Sequence, residues 1–243
     1  MGLVVPAVLP FSHEELDEKL EIFARIPSVS RIQIDVVDGK FATPASWPYS
    51  TKATKNGLTE LEAMARNGEM LPHLDRLEYE VDLMCFDAER DAEAWLALGV
   101  SRLVFHAESV TNLLRLITSA RKRYGAGGLA SFISFGFALN IASDLALIEP
   151  YLDKIEFVQF MGIARIGRQG QPLDQHIFEK VRLFHTRHPE IPVQIDGGVS
   201  FENVKKLVAL GVSNLIMGSA ITRSNNPAED IAAIEELQSS YGV

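Results

Sequence analysis

PVQIDGGVSFENVKKLVALGVSNLIMGSAI, residues 192–221, holds the repeat that decides the fold. A short apolar run over 192–196 ends on Asp196 and two glycines. Ser200 then caps FENVKKLVAL, where Val204, Leu207 and Val208 share one face and Gly211 stops the helix. A second apolar run, 214–218, ends on Gly218 and Ser219. Each run is bounded by turn residues and is too short for a helix, so the stretch reads as strand, helix, strand.

The same rhythm extends back to the N-terminus. Further strands are expected at 3–9, 31–35, 79–84, 102–107, 134–139 and 157–161, making eight. Ser12 and Glu15 form a capping box ahead of LDEKLEIFARI. In VTNLLRLITSARKRYG (110–125), Val110, Leu113, Leu114 and Ile117 fall on one face, and Gly125 can end the helix. Asn226 and Pro227 open a last helix in cap-then-N1 order. Strand–helix alternation repeated eight times in about 250 residues predicts a (β/α)8 TIM barrel. No G-x-G-x-x-G follows the first strand, which argues against a doubly wound sheet. The interval from Asp38 to Glu80 is the irregular one; ATPASWPYSTKATKNG (42–57) within it reads as an extended loop. With no linker or shift in composition, residues 1–243 read as one domain.

Composition narrows the function. The chain carries 23 Lys and Arg against 32 Asp and Glu, a net charge of -9, which argues against a nucleic-acid partner. The single cysteine, Cys85, cannot close an internal disulfide. The first residues offer no positive region and too short an apolar run for a signal peptide, and no run of 18 apolar residues follows. A cytoplasmic protein without a membrane partner is expected. Apolar helical faces allow a homo-oligomer without demanding one.

Strand ends of a barrel converge on one mouth. Here they offer Gln33, Asp35, Asp82, His106, Asn140, Met161, Asp196 with Gly197 and Gly198, and Gly218 with Ser219. The small residues after the last two strands expose backbone N–H groups where barrels hold a phosphate. Three carboxylates in one pocket need a cation, a shared proton or a basic side chain. Asp35 and Asp196 read as a base and acid on two faces of a substrate carbon. Asp38, just beyond its strand, reads as a turn cap. His106 reads either as a replacement ligand or as hydrogen-bonded structure.

IQIDVVDGKF (32–41), YEVDLM (79–84), VFHAES (104–109), GFALNIASDLALIEPYL (136–152), FVQFMG (157–162) and the opening stretch stand in one order. That ordered set resembles the motifs of the ribulose-phosphate 3-epimerase family over almost the whole chain. Members bind a divalent metal through two histidines and two aspartates, and the aspartates shuttle the proton at the third carbon of a ketopentose phosphate. The resemblance puts the two aspartates on Asp35 and Asp196. It puts the metal histidines on Gln33 and Asp82, both changed, and a strand-one serine on Ala7. Met84 and Met161 match pocket methionines, whereas a third falls on Val37. Gly198, Gly218 and Ser219 match the phosphate elements, with Gly170 and Gly197 counted beside them. The loop MGIARIGRQGQPLD (161–174) departs from the family, being longer and carrying Arg165 and Arg168.

The resemblance implies a sugar-phosphate epimerase using Asp35 and Asp196, acting on a phosphorylated sugar that need not be the family's usual one. Gln33, Asp35, Asp82 and Asp196 would form an all-oxygen metal site, favouring magnesium or manganese over zinc or iron; the altered ligands equally allow no metal at all. Without a metal, Arg165, Arg168 or Lys40 would have to supply the positive charge; the arginines read equally as a clamp for a second anion and as solvated charges. The rival is a catalytically impaired relative that binds a phosphorylated metabolite. A metal-free decarboxylase ranks last, because DVVDGK lacks the Asp-x-Lys-x-x-Asp spacing.

Overall fold

The computed structural model describes residues 3–50, 56–86, 88–124 and 132–239. Eight parallel strands close into a barrel in sequence order: β1 Leu3–Val8, β2 Arg31–Val37, β3 Glu78–Met84, β4 Arg102–His106, β5 Ser134–Leu139, β6 Phe157–Met161, β7 Val193–Asp196 and β8 Asn214–Met217. Every expected strand is present within two residues of its expected ends. The largest change is at β2, which continues through Val36 and Val37 because those residues pair with Leu83 and Met84.

The helices are α1 His13–Ala24, α2 Gly57–Asn67, α3 Ala88–Ala97, α4 Leu113–Tyr124, α5 His176–Arg187, α6 Val204–Ala209, α7 Ser219–Thr222 and α8 Pro227–Ser239. The Ser12 hydroxyl accepts from the Glu15 N–H at 3.1 Å, as its sequence position suggests. The Glu15 carboxylate reaches back to the N–H of Phe11 instead of Ser12, at 2.7 Å. Several expectations need correction. The interval after β2 contains α2, capped by Asn56 and buried through Leu61 and Met64. In α4 the buried face is Leu113, Leu116, Ile117 and Ala120; Leu114 is exposed and Val110 precedes the helix. Gly125 lies outside the described residues. Helix α6 starts at Val204, since residues 201–203 form a turn in which the Asn203 side chain bonds Ser200 N and Gly198 O.

The fifth crossover differs most from an even eightfold rhythm. Between β5 and β6 there is no α-helix, only 3-10 turns at Leu145–Leu147 and Glu149–Lys154. Pro150 sits in the second turn and lacks an N–H, which limits helix growth there. Lys180 of α5 reaches across to pin this segment, donating to the carbonyls of Asn140, Ile141 and Ser143 at 2.6, 3.1 and 2.7 Å.

Apolar residues on the outer strand faces and inner helix faces form one large core, including Trp47, Trp95, Phe135 and Phe160. Two smaller clusters lie apart from it, Val5, Ala7 and Ile216 in one, and Val104, Ala138, Phe157 and Met161 in the other. These residues alternate along their strands with the core set and face the barrel interior. The rest of the interior is polar. A Cβ at Gly136 would lie 2.4 Å from the Phe157 ring, so this position admits no side chain. No described helix is long and apolar enough to cross a membrane.

Candidate active site

Pleating sends residues two apart along a strand to the same side. Gln33 and Asp35 on β2, Glu80 and Asp82 on β3, Gln159 and Met161 on β6, and Gln194 and Asp196 on β7 therefore rise as pairs inside the barrel. The register sets Asp35 beside Asp82 and Met161 beside Asp196. The loop after β2 fixes the end of that strand. Ser46 Oγ donates to the Asp35 carbonyl at 3.0 Å and accepts from the Val37 N–H at 2.8 Å, and Trp47 N–H donates to the Pro10 carbonyl. This part of the long loop is tied down on the barrel, with Trp47 fully buried against Trp95.

Asp35 and Asp196 sit at the floor of a cavity of about 720 Å³ whose wall includes Ala7, Met84 and Met161. Gln33, Asp82 and His106 lie deeper and are inaccessible. Gln33 Nε2 bridges Asp35 Oδ1 at 3.0 Å and Asp196 Oδ2 at 3.3 Å. Gln159 Nε2 bridges Asp82 Oδ2 at 2.9 Å and Asp196 Oδ2 at 3.5 Å. His106 Nε2 meets Asp82 Oδ1 at 2.9 Å, and Phe41 packs on the imidazole with ring centroids 5.3 Å apart. Below them Gln194 Nε2 donates to Gln159 Oε1 and to Glu80 Oε1, each at 2.7 Å, while Arg102 Nε donates to Glu80 Oε2 at 2.7 Å.

Burial and mutual repulsion raise the proton affinity of the two accessible carboxyls. Asp35 is pushed up to about 7, first by loss of water and then by the charge of Asp82, against the amide donors of Gln33 and Gln169. Asp196 is held well above the usual carboxylate range by burial and by Asp35 and Asp82. For His106, burial opposes the charged ring, but the adjoining Asp82 carboxylate and hydrogen bond outweigh it and raise its pKa. Asp35 and Asp196 titrate as a pair, so near neutrality they can hold one proton between them, which makes one an acid and the other a base.

The glycines line the other side of the same cavity. Gly170, Gly197, Gly198, Gly218 and Ser219 all face it. Gly198 has φ +74°, and a Cβ there would fall 2.5 Å from the Leu173 backbone. Only glycine serves at this position. Gln169 Nε2 donates to the Ala7 carbonyl at 3.2 Å and lies against Gly218, where a Cβ would come within 2.6 Å of it. Arg223, just past α7, spreads its guanidinium over Gly170, 3.2 Å from where a Cβ would stand. Of the two loop arginines, Arg168 lines this cavity and Arg165 does not; both line a separate groove with Thr43 and Asn140. Asp38 caps its turn, accepting from the N–H groups of Lys40, Phe41 and Phe86, and Lys40 is exposed on it.

One oxygen from each of Asp35, Asp82 and Asp196 lies within 4.8 Å of the others. Octahedral magnesium, with oxygens about 2.1 Å away, needs neighbouring ligands about 3 Å apart and opposite ones about 4.2 Å apart, so the three carboxylates fit a hard divalent cation with small adjustments. Gln33 Oε1 is buried without a partner, whereas its Nε2 faces the carboxylates. The donor set is thus complete only with that oxygen turned inward.

The sequence reading missed Gln159, Gln169, Gln194, Glu80, Arg102 and Arg223. Polar residues two apart in otherwise apolar strands were the available signal for the interior group. Nothing local marks Gln169 or Arg223.

The ribulose-phosphate 3-epimerase family profile matches residues 3–222. The chain is 23% identical over 232 residues to a ribulose-phosphate 3-epimerase of Schizosaccharomyces pombe, spanning 95% of this chain and 91% of that protein. It is 24% identical over 238 residues to one from Mycobacterium tuberculosis, spanning 96% and 91%. Among solved structures, 3-hexulose-6-phosphate synthase from Salmonella typhimurium superposes with a TM-score of 0.67 at 15% identity, over 99% of this chain and 100% of that one. KGPDC from Streptococcus mutans, in complex with D-ribose 5-phosphate, superposes with a TM-score of 0.69 at 16% identity, over 100% and 99%. Those likenesses carry the barrel, and the match over the sequence carries more: this chain belongs to the ribulose-phosphate 3-epimerase family.

Proposed function

We propose that the protein is a sugar-phosphate epimerase in which Asp35 and Asp196 move a proton at the carbon next to a ketose carbonyl. One observation carries the reading: two carboxyls of raised proton affinity open into the same cavity as an array of glycine amides. The phosphate of the substrate rests against Gly170, Gly197, Gly198, Gly218 and Ser219. The sugar then lies over Met84 and Met161, with its third carbon between the carboxyls. One carboxylate takes the proton from that carbon, and the C–H electrons form the C2–C3 double bond as the carbonyl oxygen gains charge. The other carboxyl returns a proton to the opposite face, inverting the centre. Gln33 and Gln159 keep the carboxyls aimed during the exchange.

A divalent cation held by Asp35, Asp82, Asp196 and the Gln33 oxygen would supply the positive charge that an enediolate needs, and the all-oxygen set suits magnesium or manganese. The D-ribose 5-phosphate named with the Streptococcus mutans structure supports a ketose or aldose phosphate as the ligand class. The Asp-x-Lys-x-x-Asp spacing that would suit a decarboxylase is absent from DVVDGK.

Incubation with ribulose 5-phosphate or another ketose phosphate in deuterium oxide tests the reading. Deuterium should enter at the third carbon, and Asp196→Asn should abolish entry while sparing phosphate binding. Stabilisation by ketose phosphates without exchange of any of them would establish a binding protein instead.

A further inference from the structure

Two carboxamides meet the carboxylates, and they are held in opposite ways. The orientation of Gln159 is dictated from below. A guanidinium only donates, so Glu80 Oε2 accepts from Arg102 at 2.7 Å. A carboxylate only accepts, so Gln194 must turn its NH2 to Glu80 Oε1, and that NH2 also reaches Gln159 Oε1. Gln194 Oε1 accepts from Asn214 Nδ2 at 3.3 Å. With its oxygen engaged, Gln159 can present only N–H groups to Asp82 and Asp196. Inverting it would set oxygen against two carboxylates and NH2 against NH2, in a place with no access to water.

Gln33 has no such foundation. It is fully buried, its Nε2 bridges Asp35 and Asp196, and its Oε1 meets no donor. Only the carboxylates choose its orientation. A cation among them reverses that choice, because positive charge repels N–H and attracts the amide oxygen. Turning the amide over then breaks no bond at the Oε1 end, since none exists there.

We infer that Gln33 is an invertible ligand, giving N–H to Asp35 and Asp196 in the cation-free protein and its oxygen to a divalent cation when one binds, while the Arg102–Glu80–Gln194 chain keeps Gln159 a permanent donor. This rests on the metal-binding part of the reading above and adds a division of labour between two residues of one type.

The test follows the side-chain amides of the full-length, metal-stripped, 15N-labelled protein as magnesium chloride is added without substrate. The two NH2 pairs are assigned from Gln33→Glu and Gln159→Glu. The Gln33 pair should shift saturably, and the Gln159 pair should move far less. By calorimetry, Gln33→Leu should bind magnesium about tenfold more weakly, and Gln33→Glu, which offers oxygen without turning, should bind at least as tightly as wild type. Saturation with the Gln33 pair unmoved would overturn the inference, as would equal movement of Gln159. Absence of any saturable response would also overturn it, yet leave the epimerase reading to the deuterium assay. The wild-type titration stands alone should Gln33→Leu not fold.

Discussion

Asp35→Asn should make the protein more stable at pH 8 than the wild type and flatten the dependence of stability on pH. The folded state holds the Asp35 proton up to about 7, against an ordinary value of 3.8. Stability linked to this group is therefore fully present below about pH 4 and is lost as pH rises through 7. About three pH units at roughly 1.36 kcal/mol each give a loss of about 4 kcal/mol. For a chain of this size that corresponds to about 8–16 °C in Tm. The carboxyl is nearly inaccessible, with 6% exposure, so solvent screening reduces the figure little. The variant also removes the charge that pushes Asp196 up, and the difference between the two proteins contains both effects. Urea unfolding in chelator from pH 4.5 to 8, followed by tryptophan fluorescence, reads the loss, since Trp47 and Trp95 are fully buried. Parallel profiles for wild type and Asp35→Asn would refute the claim that this carboxyl is strained by burial and by its neighbours.

Three further outcomes are expected. Arg223→Ala should raise KM for a ketose phosphate about tenfold with little change in kcat, because the guanidinium over Gly170 would add charge to phosphate binding and not to proton transfer; steady-state kinetics read the split. Gly198→Ala should lose inorganic phosphate binding and at least about 1 kcal/mol of stability, from the left-handed backbone and the 2.5 Å approach to Leu173; calorimetry and urea unfolding read the two losses. Cys85, fully buried and with its thiol pushed up chiefly by burial, should resist iodoacetamide in the native protein and react only in denaturant, as mass spectrometry would register.

Much of the scaffold was legible because its strands announce themselves. Runs such as FVQFM and NLIMG are short, apolar and fenced by turn residues, and all eight formed. Helix α2 was hidden because only Leu61 and Met64 face the core strongly, and the loop ahead of it is rich in Pro, Ser and Thr. Asp35 and Asp196 could be placed in the mouth from their strand-end positions alone. Their bridging partners could not, because the register that lifts Gln159 between Asp82 and Asp196 is a property of the closed ring and not of any one strand. Gln169 and Arg223 reach the cavity from loops, whose path no periodicity encodes.

The bare fifth crossover has a consequence for the chemistry at the mouth. Elsewhere the ring is clad in helices, but the outside of β5 and β6 is sheathed by two 3-10 turns and the anchor of Lys180. Strand β6 also carries Gln159, the donor shared by Asp82 and Asp196. Breathing of the thinnest wall would thus be felt within the acid–base pair as a withdrawn N–H, and the steadiness of its proton affinity depends on residues that never approach a substrate.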